Sequence, residues 1–276
     1  MTTRLGIVAG SGALPGQLIA GCRQAGIDVF VVAIAGVADP EAVQGVDHVW
    51  LDIAAIGQAT ASLRNAGCDS LCLIGGVERP TLGSLRPDWQ GLALLPKLLG
   101  AASKGDDAIL QVVLDHFEGA GFRIVGAEEV LAELAVPAGP LGRHRPDARD
   151  QAAIEIGIRE ILNLGRGTVA QAVVVRDGLV AALEAADGTD AMLIRCACEA
   201  GASPAGVLVK WPRPGQEFRI DLPTIGPATV AGAHRAGLKG IAVAAGGALV
   251  AERDLTIRRA DEDGLFIVGI EAEVSR

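Results

Sequence analysis

Short apolar runs, separated by turn signals and helical stretches, fill the first half of this chain: RLGIVA (4–9), DVFVVAI (28–34), HVWLDI (48–53), SLCLIGG (70–76) and FRIVG (122–126). They have strand length, and most are near-continuously apolar, as a strand buried on both faces must be. Between them, residues 14–25, 54–66, 88–103 and 106–120 place their apolar side chains at helical spacing. A strand, a helix and another strand in that order need a crossover connection, and repeated crossovers build a parallel sheet. The expectation is therefore an α/β protein whose residues 1–135 form a parallel-sheet domain.

Past that region the pattern changes. VPAGPLGRHRPDARD (136–150) has three prolines, two glycines and little apolar content, which reads as a linker. Residues 151–276 then read as a second α/β domain with a mixed sheet. A helix over 150–164 leads into VAQAVVV (169–175) and LVAALEA (179–185), joined across Arg176-Asp177-Gly178. An Asp-Gly step between two apolar runs signals a hairpin. Further strands are expected at VLVKW (207–211), FRID (218–221), IAVAA (241–245), ALVAE (248–252) and LFIVGI (265–270).

Composition narrows the function classes. A net charge of −9 argues against nucleic acid, since phosphate contacts need a basic face. An anionic ligand would have to be met by local devices: helix N-termini, a few Lys or Arg, or a divalent cation. The five cysteines are odd in number and lack zinc spacing, so they read as reduced thiols. The span 5–22 carries no charge, but its five glycines and Pro15 break it into strand, turn and helix. It reads neither as a membrane span nor as a signal peptide, and the protein is expected to be soluble and cytoplasmic.

Several positions are placed for chemistry. Gly10, Ser11 and Gly12 lie between the first strand and its helix, where glycines let a phosphate approach the backbone and a helix N-terminus offers N–H groups. The dinucleotide fingerprint is incomplete, because Pro15 takes the third glycine position and no acid stands at the tip of the second strand. NAD is therefore disfavoured, while a phosphate cradle and a plain tight turn both stand. Gly75-Gly76-Val77-Glu78-Arg79 follows another strand and points to the same crevice, with Arg79 either an anion partner or a surface ion pair. Asp106 and Asp107 read as helix-capping residues. In the second half, Glu184, Lys210 and Asp221 each end an expected strand, and Thr189 and Asp190 open a helix that carries Arg195. Asp221 stands between Ile220 and Leu222 just ahead of a helix start. A carboxylate there is a helix cap, one half of a pair or a metal ligand. The four histidines stand apart from any Ser or Cys nucleophile motif, so no hydrolase triad is expected. The apolar segment 92–99 is either a core helix or one wall of a pocket for acyl chains, and Arg143, His144, Arg145 and Arg149 read as a solvated charge run.

The chain resembles the UDP-2,3-diacylglucosamine pyrophosphatase family of lipid A biosynthesis, the type with a Rossmann-like N-terminal domain rather than a metallophosphoesterase. The resemblance spans nearly the whole chain. It is carried by GIVAGSGALP (6–15), GGVERP (75–80), GDD (105–107), VAQAVVV, EAADGTDAMLIR (184–195), GVLVK (206–210) and above all QEFRIDLPTIGPATV (216–230). Glu217 is a departure, since an Asp is expected there. The resemblance implies Mg²⁺-dependent hydrolysis of UDP-2,3-diacylglucosamine to UMP and 2,3-diacylglucosamine 1-phosphate (lipid X). It implies water attack at the lipid-side phosphorus and work at the membrane surface without spanning it. Asp221 matches the family's essential aspartate. Asp221 and Asp190 are the expected metal carboxylates, and Lys210 and Arg195 would stabilise phosphate charge. Gly10, Ser11, Gly12, Gly76, Arg79, Gln171, Thr189 and Thr224 are the expected substrate contacts. A homodimer is the default oligomer for such a chain. The rival readings are another nucleotide-sugar enzyme and a non-catalytic nucleotide or lipid binder.

Overall fold

The computed structural model describes residues 4–77, 85–103, 105–165, 170–197 and 203–271. It divides into two compact units, residues 1–132 and 133–276.

The first unit is built on five strands: β1 (Arg4–Ala9), β2 (Val29–Ile34), β3 (Asp47–Leu51), β4 (Cys68–Ile74) and β5 (Arg123–Ile124). All pair in parallel, in the order β3-β2-β1-β4-β5. The expected parallel α/β domain is therefore present, with the strand order of a Rossmann-like half. Its helices are α1 (Ala13–Gln24), α2 (Ile56–Asn65), α3 (Trp89–Ala102), α4 (Asp106–Gly119) and the short α5 (Ala127–Val130). Ile7, Val31, Leu71 and Cys72 are wholly buried, as a sheet covered on both faces requires. FRIVG contributes only two residues to the sheet, because β5 is an edge strand that touches β4 alone.

The second unit holds β6 (Gly139–Leu141), β7 (Ala172–Arg176), β8 (Leu179–Leu183), β9 (Val207–Lys210), β11 (Gly240–Ala244) and β13 (Phe266–Ile270) in one mixed sheet, ordered β6-β13-β11-β9-β7-β8. A separate two-stranded parallel sheet pairs β10 (Thr224–Ile225) with β12 (Leu249–Val250). The helices are α6 (Ala148–Asn163), α7 (Gly188–Arg195), α8 (Pro227–Arg235) and α9 (Arg253–Glu262). The two-residue side-chain period of a strand sorts the core into two layers. Val173, Val175, Val207, Val209 and Phe266 pack with Ile154 and Ile161 of α6. Val174, Leu208, Ile241, Val243 and Ile267 pack with Met192, Leu193, Val230 and Ala260 of α7, α8 and α9. Each of these buried Val, Leu, Ile, Met and Phe side chains stabilises the fold by about 1.5–3 kcal/mol. Gly157 allows α6 to lie close on the sheet, since a Cβ there would meet Val209 Cγ2 at 2.6 Å. The Asp-Gly hairpin is present between β7 and β8, with φ of 48° at Asp177 and 74° at Gly178, the backbone that a two-residue type I′ loop needs.

Two expectations are corrected. Residues 136–150 are not a free linker: Val136 is fully buried, 139–141 form β6 antiparallel to β13, and α6 starts at 148. The charge run within it is solvated as expected at Arg143, Arg145 and Arg149, which are exposed, while its backbone is tied down. The Arg143 N–H donates to Asp261 Oδ1 at 2.6 Å, and His144 Nε2 lies 3.2 Å from the Asp261 carbonyl. FRID is not a strand. Residues 218–220 form a turn, closed by the Asp221 N–H to the Glu217 carbonyl at 3.0 Å. Its alternation of apolar and polar residues imitates a strand, but β9 already has β7 on one side and β11 on the other.

The start of α6 supplies a pH test. Asp147 caps the helix, accepting from the Arg149 and Asp150 N–H groups, and Lys239 Nζ sits 2.7 Å from Asp147 and 2.9 Å from Asp150. The ammonium of Lys239 holds the Asp147 carboxyl down to about 2, from an ordinary 3.8. A depressed carboxylate stabilises the fold above its unfolded value and loses that contribution as pH falls through its folded value. Asp147→Asn is thus expected to lower Tm at pH 7. The gap from the unsubstituted protein should close between pH values of about 4 and about 2 in thermal melts across that range.

Candidate active site

Three chain segments meet where β8 and β9 end and β7 begins. Ala172 of β7 pairs with Lys210 of β9, and the Glu184 N–H donates to the Ala172 carbonyl at 2.9 Å. Lys210 and Glu184 are therefore delivered to the same end of the sheet, on the strands flanking β7. Because β9 runs parallel to β11, this is also the carboxyl end of the parallel strands, where open α/β sheets collect ligands.

Lys210 is 6% exposed and Glu184 7%. The Lys210 ammonium donates to the Thr224 carbonyl at 2.9 Å. Burial pushes its pKa down, while the charges of Glu184, Asp190 and Asp221 act to raise it. Glu184 is held by the Gln171 N–H at 2.9 Å and by the Thr189 hydroxyl at 2.5 Å. Lys210, Glu184, Gln171, Thr189 and Thr224 are thus brought into one polar cluster, with Asp190 and Asp221 near enough for their charges to act on Lys210.

Asp221 reaches it from the irregular segment between β9 and β10. It does not cap α8, whose N-cap is Gly226. Instead one of its oxygens accepts from Arg213 at 2.7 Å, both side chains being largely buried. Asp190 lies in the first turn of α7 and is exposed. Arg195 ends the same helix, pairs with Asp187, and lines a groove of about 440 Å³ with Arg176, Cys196 and Ala197. Its partners are not those of Lys210. Glu217 forms a two-pronged pair with Arg219, at 2.9 and 2.7 Å, which depresses its carboxyl.

Sequence reasoning missed Arg213 and Gln216. Gln216 is buried, and its amide touches Arg213, Gln171 and Asp221. Both sit around WPRPGQ, where prolines and glycine mark a turn but no periodicity says which way a side chain faces.

In the first unit the glycine loop packs against the loop after β4. Ser11 and Gly76 exchange backbone hydrogen bonds at 2.8 and 3.0 Å, and the Ser11 hydroxyl donates to the Gly76 carbonyl at 2.9 Å. A Cβ at Gly10 would stand 2.6 Å from the Gly76 oxygen, and one at Gly75 would stand 2.7 Å from the Ser11 oxygen. Those two glycines are needed for backbone to meet backbone at the β1/β4 junction, the point where the strand order reverses. Gly12, with φ of 91°, opens α1 without a side-chain cap. Arg79 lies outside the described residues. On α3, Trp89 is 81% exposed and Leu92 and Leu99 about half exposed. The apolar segment is therefore divided: Leu94 is buried in the core of the unit, while Leu92 and Leu99 face outward within it.

Among the described residues, no group of three or more His, Cys, Asp or Glu is placed to hold a metal. No helix there is long and apolar enough to cross a membrane. The chain matches the family model for the LpxI N-terminal domain over residues 4–134 and that for the LpxI C-terminal domain over 137–268. It is 45% identical over 278 residues to a protein of Caulobacter vibrioides named UDP-2,3-diacylglucosamine pyrophosphatase LpxI, covering 98% of each chain. Two adjoining domain matches and 45% identity over nearly the whole of both chains have one meaning: the chain belongs to the LpxI family.

Proposed function

We propose that the chain hydrolyses the pyrophosphate of UDP-2,3-diacylglucosamine, giving UMP and 2,3-diacylglucosamine 1-phosphate, with Mg²⁺ bound at the cluster of the second unit. The observation that carries this reading is the buried Lys210 among Glu184, Asp190 and Asp221, with Arg213 holding Asp221.

The charge balance supports a metal. Three carboxylates against Lys210 and Arg213 leave the cluster formally negative, so a pyrophosphate entering it needs a further cation. Hard carboxylate oxygens suit Mg²⁺, which is commonly held by one or two carboxylates plus waters and substrate phosphates rather than by a closed protein cage. Asp221 and Asp190 are the residues to hold it, a donor set that fits a site without three protein ligands. When bound, the ion neutralises the pyrophosphate and lowers the pKa of an attacking water.

Lys210 supplies a fixed ammonium for a non-bridging phosphate oxygen in a water-poor site, where such a charge acts most strongly. Thr189 and the Gln171 N–H keep Glu184 engaged, so that its charge steadies the ammonium. In the first unit, the uncapped first turn of α1 after Gly12 offers N–H groups for a phosphate. The outward apolar stripe of α3 suits acyl chains, whose burial is worth about 0.8 kcal/mol per CH₂. The same stripe is consistent with peripheral work at the cytoplasmic membrane face.

Purified protein incubated with UDP-2,3-diacylglucosamine and Mg²⁺ should release UMP. Chelation by EDTA should abolish release, and excess Mg²⁺ should restore it. No UMP under either condition would sink the pyrophosphatase reading; UMP that persists in EDTA would remove the metal from it.

A further inference from the structure

We propose that Gln216 is the positioning residue of this site, fixing the Asp221 turn against the start of β7. The proposal rests on the pyrophosphatase reading of the same cluster and adds to it a residue that does not itself touch substrate. Residues 212–222 lie outside any strand, so side-chain contacts must help define where Asp221 stands. At its start, the Trp211 N–H donates to the Gln171 carbonyl at 2.9 Å. In its middle, Gln216 is 5% exposed and uses both ends of its amide. Its Oε1 accepts from the Arg213 N–H at 2.7 Å. Its Nε2 donates to Gln171 Oε1 at 3.3 Å and to the Asp221 carbonyl. The backbone N–H of Gln216 also donates to the Arg213 carbonyl at 3.1 Å.

One buried side chain therefore joins the two members of the Arg213–Asp221 pair and ties both to β7. On an irregular segment such side-chain contacts help to set the place of a carboxylate, and a misplacement of about 1 Å at a reacting centre can cost on the order of 10²-fold in rate. Buried amides with both ends used also specify one arrangement.

The test is a double-mutant cycle. Gln216→Met, of similar length but without the amide, should lower kcat about 10- to 100-fold with KM within about twofold. In the Asp221→Ala background the same change should alter the residual rate by less than about twofold, because a residue that acts through Asp221 has nothing left to position. An unchanged kcat in the single variant, or the same loss in both backgrounds, overturns the proposal.

Should Gln216→Met fold poorly, Gln216→Glu serves instead. It keeps the acceptor for the Arg213 N–H but turns an acceptor toward the Asp221 carbonyl. Its kcat should fall about 10- to 100-fold, as for Gln216→Met. An unchanged kcat counts against the proposal. Turnover is not the sole readout. A crystal structure of either variant should show Asp221 moved away from Arg213, and an unmoved Asp221 overturns the proposal even for a protein that releases no UMP. Absence of UMP from the unsubstituted protein is instead the failure of the underlying reading.

Discussion

Asp221→Ala is expected to lower UMP release by at least ~10²-fold, the scale for losing one key electrostatic group in an active site. The expectation follows from where the carboxylate stands. It is supplied by a turn, its side chain is about a quarter exposed, and it is paired with an Arg213 that is more buried still. A purely structural salt bridge of this kind would show its loss in stability first. Asp221→Asn separates the two roles, since it keeps the shape and an oxygen to accept from Arg213 but removes the charge. Asp221→Asn should keep a Tm close to that of the unsubstituted protein and Asp221→Ala a lower one, while both retain substrate binding by calorimetry and lose turnover at saturating Mg²⁺. If Asp221→Asn turns over normally, the negative charge has no part in the chemistry. If both variants unfold, the pair with Arg213 is a structural one.

Much of this arrangement could be read in the sequence, and the reason is periodicity. The runs that become β1, β2 and β4 are buried on both faces, so their composition alone identifies them and their alternation with helices dictates a parallel sheet. Asp177-Gly178 announces its hairpin because few other residues accept positive φ at both positions. Lys210 and Glu184 were legible as strand tips for the same reason: the strands that deliver them are uniformly apolar until they end.

The remainder depended on tertiary choices with no local signature. FRID alternates as a strand does, yet the sheet had no open edge beside β9 to receive it. VPAGPLGRHRPDARD has the composition of a linker, but its few apolar side chains, Val136 and Leu141, are enough to seat β6 beside β13. The resemblance groups Arg195 with Lys210 as charges for the substrate phosphates. The helix that carries it turns it instead toward Asp187. Gln216 and Arg213 lay in a Pro- and Gly-rich stretch where sequence announces a turn but not its direction. The glycines at 10 and 75 were visible as a loop signal, but their reason, two backbones in contact, required both loops to be in place.

Lys210→Met should abolish most turnover and destabilise the fold at once, and a second substitution should pull these effects apart. Lys210 is 6% exposed, and its ammonium is held there because Glu184, Asp190 and Asp221 favour the charge and the Thr224 carbonyl accepts from it. Removing it takes a favourable charge away from the buried Glu184, which keeps its two hydrogen bonds, and this should destabilise the fold. Adding Glu184→Gln removes the stranded charge, and the amide oxygen remains an acceptor for the Gln171 N–H and the Thr189 hydroxyl. Urea titration should therefore show Lys210→Met well below the unsubstituted protein and the double variant recovering most of the difference. UMP release should stay low in both, by about 10²-fold or more, because the ammonium for the phosphate oxygen is still missing. Recovery of turnover together with stability would mean that Lys210 only neutralises Glu184, and the cluster would then need another cation for its chemistry.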